Sequence, residues 1–192
     1  IAVDSDLRRP MLHHVFDVEN VFGLTNLLLT NEPDLTSAIL PTRVPNLRVV
    51  ASGPLPPNPS ELLGSARMER LLARLRDEAE LIILDSPPVL AVTDPTILAA
   101  KVDGVILVVD AGKTRNDPLS RAKSTLDRGP AHLLGIVMNR VSNRVGGDYS
   151  YDYNRYYAKG ADGGLSQNGH TGYTGDHGPD WLKSLRRVVS RR

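Results

Sequence analysis

The sequence contains no cysteine. Disulfides and thiolate metal sites are excluded, and the chain suits a reducing compartment without requiring one. Neither sign of charge dominates: 23 Lys and Arg face 22 Asp and Glu. That balance gives no reason to expect nucleic acid as a partner. No apolar run approaches the ~18 residues of a membrane-spanning helix, and no secretory leader is visible. No internal repeat of 20–50 residues is present. Also absent is any G-x-x-x-x-G-K-[ST] string, the loop whose backbone N–H groups cradle phosphates. Aromatic residues make up only 5% of the chain.

What is present reads as one α/β domain with a tail. The length of 192 residues and the hydrophobic fraction of 41% suffice for a sizeable core. Continuous runs rich in Val, Ile and Leu predict strands at Ile1–Val3, Leu47–Ala51, Leu81–Leu84, Val105–Val109 and Leu133–Met138. Such runs do not alternate with polar residues, as expected of parallel strands covered on both faces. Helix punctuation lies between the later strands. Asn58-Pro59-Ser60-Glu61 offers a cap, a first-turn proline and a capping-box acid. Asp94-Pro95 and Asp117-Pro118 repeat the cap-then-proline device, and Gly129-Pro130 closes a helix. Leu71, Leu72 and Leu75 predict a helix over Met68–Ala79. Strand, capped helix, strand implies a doubly wound, mostly parallel sheet flanked by helices.

After Arg144 the composition changes. Residues 1–144 form the expected folded domain, 145–158 a tyrosine cluster, 159–180 a Gly-rich segment expected to be disordered, and 181–192 a basic end.

Ligands of open parallel sheets bind beyond the carboxyl ends of strands. Two predicted strands end in acids there: IAVDSD supplies Asp4 and Asp6, and LIILDSPP supplies Asp85. Carboxylates released into one crevice suit Mg²⁺, which prefers oxygen ligands and keeps several waters. Each acid is equally able to cap the turn that follows it. The adjacent His13 and His14 do not form a metal pair, since neighbouring residues on a helix point apart. Thr93-Asp94 reads either as a helix cap or as a switch after the second acidic strand. Lys113, Thr114 and Arg115 read as a solvated loop in preference to a contact with nucleotide or a neighbouring subunit, and Trp181–Arg192 as a frayed end or a basic helix on an anionic leaflet.

Taken together, these strings resemble a known family. VDSDLRRP resembles the Walker A′ motif of bacterial tyrosine kinases, and LIILDSPP resembles their Walker B. SGPLPPNPSELLGS (Ser52–Ser65), VVDAGKTR (Val108–Arg115) and GIVMNRV (Gly135–Val141) match the same family in order and spacing. The likeness covers about residues 1–157 and implies the P-loop NTPase-like fold of deviant-Walker ATPases related to MinD and ParA.

The resemblance also implies roles. Asp4 and Asp6 match the two A′ acids, tied to Mg²⁺ and to activating a tyrosine hydroxyl, and Asp85 matches the acid that holds Mg²⁺ through water. Arg8 belongs to the A′ string and is expected at the nucleotide. Asn139 and Arg140 end the last core strand, where related ATPases meet adenine. Tyr149, Tyr151, Tyr153, Tyr156 and Tyr157 match the family's autophosphorylated cluster, with an edge strand or a stacking surface as the plainer readings. Tyr173 stands apart as a possible extra acceptor.

By the same resemblance the cofactors are ATP and Mg²⁺. The partners are other copies of the chain, in a ring that phosphorylates in trans, and a membrane-spanning polysaccharide co-polymerase adaptor, fused or separate. Nucleic acid is not among them. The expected location is the cytoplasmic face of the bacterial plasma membrane. With no phosphate loop and no initiating Met, the 192 residues are expected to be part of a longer chain and inactive alone. The competing expectations are a MinD/ParA-like ATPase that phosphorylates nothing, and a non-catalytic regulator of a polysaccharide co-polymerase.

Overall fold

The computed structural model describes residues 1–31, 34–111 and 113–141. The tyrosine cluster, the Gly-rich segment and the basic end lie outside them. In chain order the elements are β1 (Ala2–Asp4), α1 (Leu12–Phe16), α2 (Leu24–Leu29), α3 (Leu35–Ala38), β2 (Ile39–Pro41), β3 (Arg48–Val50), α4 (Pro59–Gly64), α5 (Ala66–Glu78), β4 (Ile83–Asp85), α6 (Asp94–Ala99), β5 (Val105–Asp110), α7 (Asn116–Asp127) and β6 (Leu133–Asn139). The class is the expected one, an α/β fold whose mostly parallel sheet is flanked by helices.

The strands form two sheets among the described residues. One has the order β2-β3-β1-β4 and the other pairs β5 with β6. All pairings are parallel except β2 on β3. The five expected strands are present, and β2 is an addition that no long apolar run announces.

The first sheet carries the core. Val3 and Val50 are fully buried in one cluster with Leu7, Leu24, Leu28, Leu63, Met68 and Leu75, and Val49 is fully buried as well. The spacing of apolar residues in α5 explains its place there: Met68, Leu71, Leu72 and Leu75 are all buried. Ser65 caps this helix, its hydroxyl accepting from the Met68 N–H. Of the expected caps, Asn58 stands at the start of α4, without a side-chain cap bond, and the other two shift, by one residue at α6 and by two at α7. Asp94 is the first residue of α6 and Asn116 the first of α7, so Thr93 and Arg115 stand at the caps without side-chain cap bonds. Asp94 is free of capping duty because its carboxylate is used elsewhere.

The expectation of strands covered on both faces holds for β1 and β3, fails at the exposed Ile83 of β4, and fails for β5 and β6. The register pairs Val108 with Val137 and Leu107 with Ile136, and hence assigns them to opposite faces. Ile106, Val108 and Val137 on one face are 49%, 59% and 48% exposed, and Ile136 and Met138 on the other are 48% and 64% exposed. A run of aliphatic residues marks a strand but says nothing of what covers it, and no described element closes over these positions.

Candidate functional site at the ends of β1 and β4

β1 and β4 run side by side in register, so Asp4 and Asp85 are direct partners at their carboxyl ends. Two backbone bonds fix that register. The Ile83 N–H donates to the Ile1 carbonyl at 2.9 Å, and the Ser5 N–H donates to the Asp85 carbonyl at 2.9 Å. The sheet ladder itself therefore brings two acids, 81 positions apart in the chain, to one rim.

Asp4 is fully buried. Its Oδ2 accepts the Leu12 N–H at 2.9 Å, at the start of α1. Its Oδ1 has no hydrogen-bond partner among the described residues. Burial pushes the Asp4 carboxyl above its usual range, the N–H groups of Leu12, Met11 and Asp6 pull it back, and the charge of Asp6 adds to the rise. Asp85 sits at the exposed rim. Desolvation raises its carboxyl too, followed by the negative charges of Asp4 and Asp6.

Asp6 turns the chain back on itself. Its Oδ1 accepts the N–H groups of Arg8 and Arg9 at 3.1 and 2.9 Å. An acid bonding backbone two and three residues on makes a tight turn, and the turn sends the Arg8 side chain toward α6.

A buried carboxylate with one unpaired oxygen beside further negative charge is costly. Either a proton or a cation relieves the cost, and the donor set is all carboxylate oxygen, as Mg²⁺ prefers. Asp4 and Asp85 thus fit the ion. The three acids do not close into a cage: among the described residues no three His, Cys, Asp or Glu side chains are grouped to hold a metal. A hydrated ion at a rim needs no such cage.

Arg8 is committed to protein. Its Nε donates to Asp94 Oδ2 at 2.8 Å and its Nη2 to Asp94 Oδ1 at 3.0 Å. Ser60, in α4, donates to the same Oδ1 at 2.6 Å. Asp94 is fully buried, and Arg8 and then Ser60 hold its carboxyl below the usual range against the opposing effect of burial. Nothing in the sequence links positions 8, 60 and 94; only the fold does.

Asn139 and Arg140 lie exposed at the end of β6. Arg140 takes a left-handed backbone conformation, φ 55°, with its N–H on Asn139 Oδ1 at 2.9 Å. Its guanidinium reaches Asp110 Oδ2 at 2.9 Å, at the end of β5. Thr114 is not merely solvated: its hydroxyl accepts the Asp110 N–H at 3.0 Å.

No family model matches the chain. Curated proteins do. CapB of Staphylococcus aureus is 36% identical over 153 residues, covering 80% of this chain and 67% of CapB. The tyrosine-protein kinase YwqD of Bacillus subtilis is 38% identical over 151 residues, covering 79% of this chain and 63% of YwqD. Among solved structures, the kinase domain of Escherichia coli tyrosine kinase ETK aligns with a TM-score of 0.71 at 34% identity, over 78% of this chain and 58% of that one. The chain thus spans about two thirds of the length of CapB and YwqD, and about a fifth of the longer kinases wzc of Salmonella typhi and etk of Escherichia coli.

Proposed function

The chain belongs to the bacterial tyrosine kinases, catalytic domains of the MinD/ParA-like P-loop ATPase superfamily, and from that membership we propose that the whole protein is an ATP- and Mg²⁺-dependent tyrosine autokinase of exopolysaccharide or capsule assembly. The observation that carries this reading is the buried, half-paired Asp4 carboxylate in register with Asp85.

Phosphoryl transfer needs placement and charge neutralisation more than covalent chemistry. Asp4 serves as the base. A tyrosine hydroxyl has a pKa near ~10, and a carboxylate raised by burial is better matched to accept its proton than an exposed one. Asp85 and Asp6, with Asp4 beside them, would hold a hydrated Mg²⁺, which would supply positive charge against the charge of the transferred phosphoryl group. Asn139 and Arg140 face the nucleobase.

The acceptors are Tyr149, Tyr151, Tyr153, Tyr156 and Tyr157, presented to a neighbouring copy in a ring. Each phosphate adds about −1.5 to −2 charges, so a modified cluster repels itself and any acidic docking surface, and the ring comes apart. Assembly involves a membrane-spanning co-polymerase adaptor at the cytoplasmic face of the membrane. Among the described residues no helix is long and apolar enough to cross a membrane.

The test uses the intact protein with ATP and Mg²⁺ and maps phosphate by mass spectrometry. Label is expected on the Tyr149–Tyr157 cluster, with Asp4→Asn and Asp85→Asn each reducing it at least ~100-fold. ATP hydrolysis with unmodified tyrosines overturns the kinase reading in favour of a MinD-like ATPase.

A further inference from the structure

We propose that Arg8, Asp94 and Ser60 form a positioning clamp that fixes the aim of Asp6 and ties the β1 loop to the segment following Asp85. The clamp thereby sets the affinity of the acidic rim for its divalent cation. This rests on the reading of those acids as a Mg²⁺ site.

The argument follows the bonds outward from α6. Asp94 is fully buried at the first turn of a helix that begins nine residues after Asp85. Its two oxygens receive the guanidinium of Arg8 side-on, at 2.8 and 3.0 Å. Such two-point pairing fixes orientation as well as distance. Ser60 sits on the outer side of the pair, donating to Asp94 at 2.6 Å and receiving Arg8 Nη2 at 3.1 Å. Three segments remote in the chain therefore meet at one carboxylate.

Arg8 then acts on Asp6 through its own backbone. The Arg8 N–H is one of the two groups that hold Asp6 Oδ1. Fixing the Arg8 side chain fixes the residue whose N–H sets the Asp6 rotamer, and the charge of Asp6 acts on both Asp4 and Asp85. Asp94 touches neither nucleotide nor cation in this scheme. Its effect reaches the cation through Arg8 and the turn, which makes it a positioning residue.

A clamp of this kind differs from a merely structural ion pair in what it changes. Replacing a buried pair by apolar residues of similar volume commonly preserves or raises stability. If the pair only stabilises, that exchange restores everything. If it positions Asp6, stability returns and cation affinity does not.

The experiment titrates Mn²⁺ into the intact kinase bearing a non-hydrolysable ATP analogue, reading free Mn²⁺ by its electron paramagnetic resonance signal. Asp94→Asn is expected to weaken Mn²⁺ binding about tenfold. Ser60→Ala, which leaves the ion pair in place, is expected to weaken it a few-fold. The double variant Arg8→Met with Asp94→Leu is expected to melt near the parent temperature yet remain about tenfold weaker for Mn²⁺. Nucleotide affinity measured in EDTA is expected to be unchanged in Asp94→Asn and Ser60→Ala. Parent-like Mn²⁺ binding by the double variant, or by a folded Asp94→Asn, overturns the clamp. Should Asp94→Asn fail to fold, the double variant and Ser60→Ala decide. A parent protein that binds no Mn²⁺ at a site removed by Asp85→Asn overturns the acidic-site reading itself, and the clamp with it.

Discussion

Asp4 is placed where a carboxylate is uncomfortable, and the discomfort has a measurable sign. Burial raises its carboxyl in the folded chain. Between the usual carboxylate pKa of ~3.9 and that raised value, the folded state binds more protons than the unfolded state. Unfolding free energy therefore falls as pH rises through this window. The penalty is complete above the raised value and gone below the ordinary one. Asp4→Asn removes the charge and keeps a carbonyl oxygen for the Leu12 N–H. In EDTA the variant is expected to melt higher than the parent at neutral pH, and to lose the parent's gain on acidification. In Mg²⁺ the order is expected to reverse, since the variant has lost one carboxylate of the ion's site and gains less from it. Thermal melts from pH 4 to 7.5 check both statements; a variant that melts lower than the parent in EDTA at neutral pH contradicts the first.

At the scale of elements, α2 and β3 meet more closely than side chains allow. The Leu24 and Thr25 N–H groups donate to the Ala51 and Ser52 carbonyls, each at 2.8 Å. A Cβ on Gly23 would stand 2.1 Å from the Ala51 carbonyl oxygen and 2.5 Å from the Gly53 nitrogen. Both are backbone atoms that cannot swing aside. Gly53 itself has φ +73°, the left-handed region. Gly23→Ala is expected to cost about 3 kcal/mol or more, read from urea unfolding of the intact protein; a loss under about 1 kcal/mol would mean the crossing relaxes freely. Elements of this kind were not legible in the sequence. α1, α2, α3 and β2 span 5, 6, 4 and 3 residues, too short to show a period. Helices so short owe their existence to tertiary contacts such as those of Leu24 and Thr25 rather than to propensity. α5, with 13 residues and four buried apolar positions, announces itself.

For the molecule as a whole, the rim at Asp4 and Asp85 was readable because each acid closes an apolar run, and parallel pairing brings run-ends together. The Arg8–Asp94 pair was not, because a bond between residues 86 positions apart leaves no local pattern. Nor was the uneven covering of the strands. Ile106, Val108, Val137, Ile136 and Met138 stand about half or more exposed on both sides of a two-stranded ribbon, an arrangement soluble proteins seldom leave open to water. Expressed by itself, this polypeptide is expected to enhance the fluorescence of the dye ANS several-fold, and to elute late or smeared from a phenyl-substituted resin. Exchanging Val108 and Ile136 for threonine should sharpen the peak and dim the dye, whereas the same exchange at the sealed Val49 should unfold the chain. Handling in the laboratory, more than chemistry, is where that bare ribbon will first be noticed.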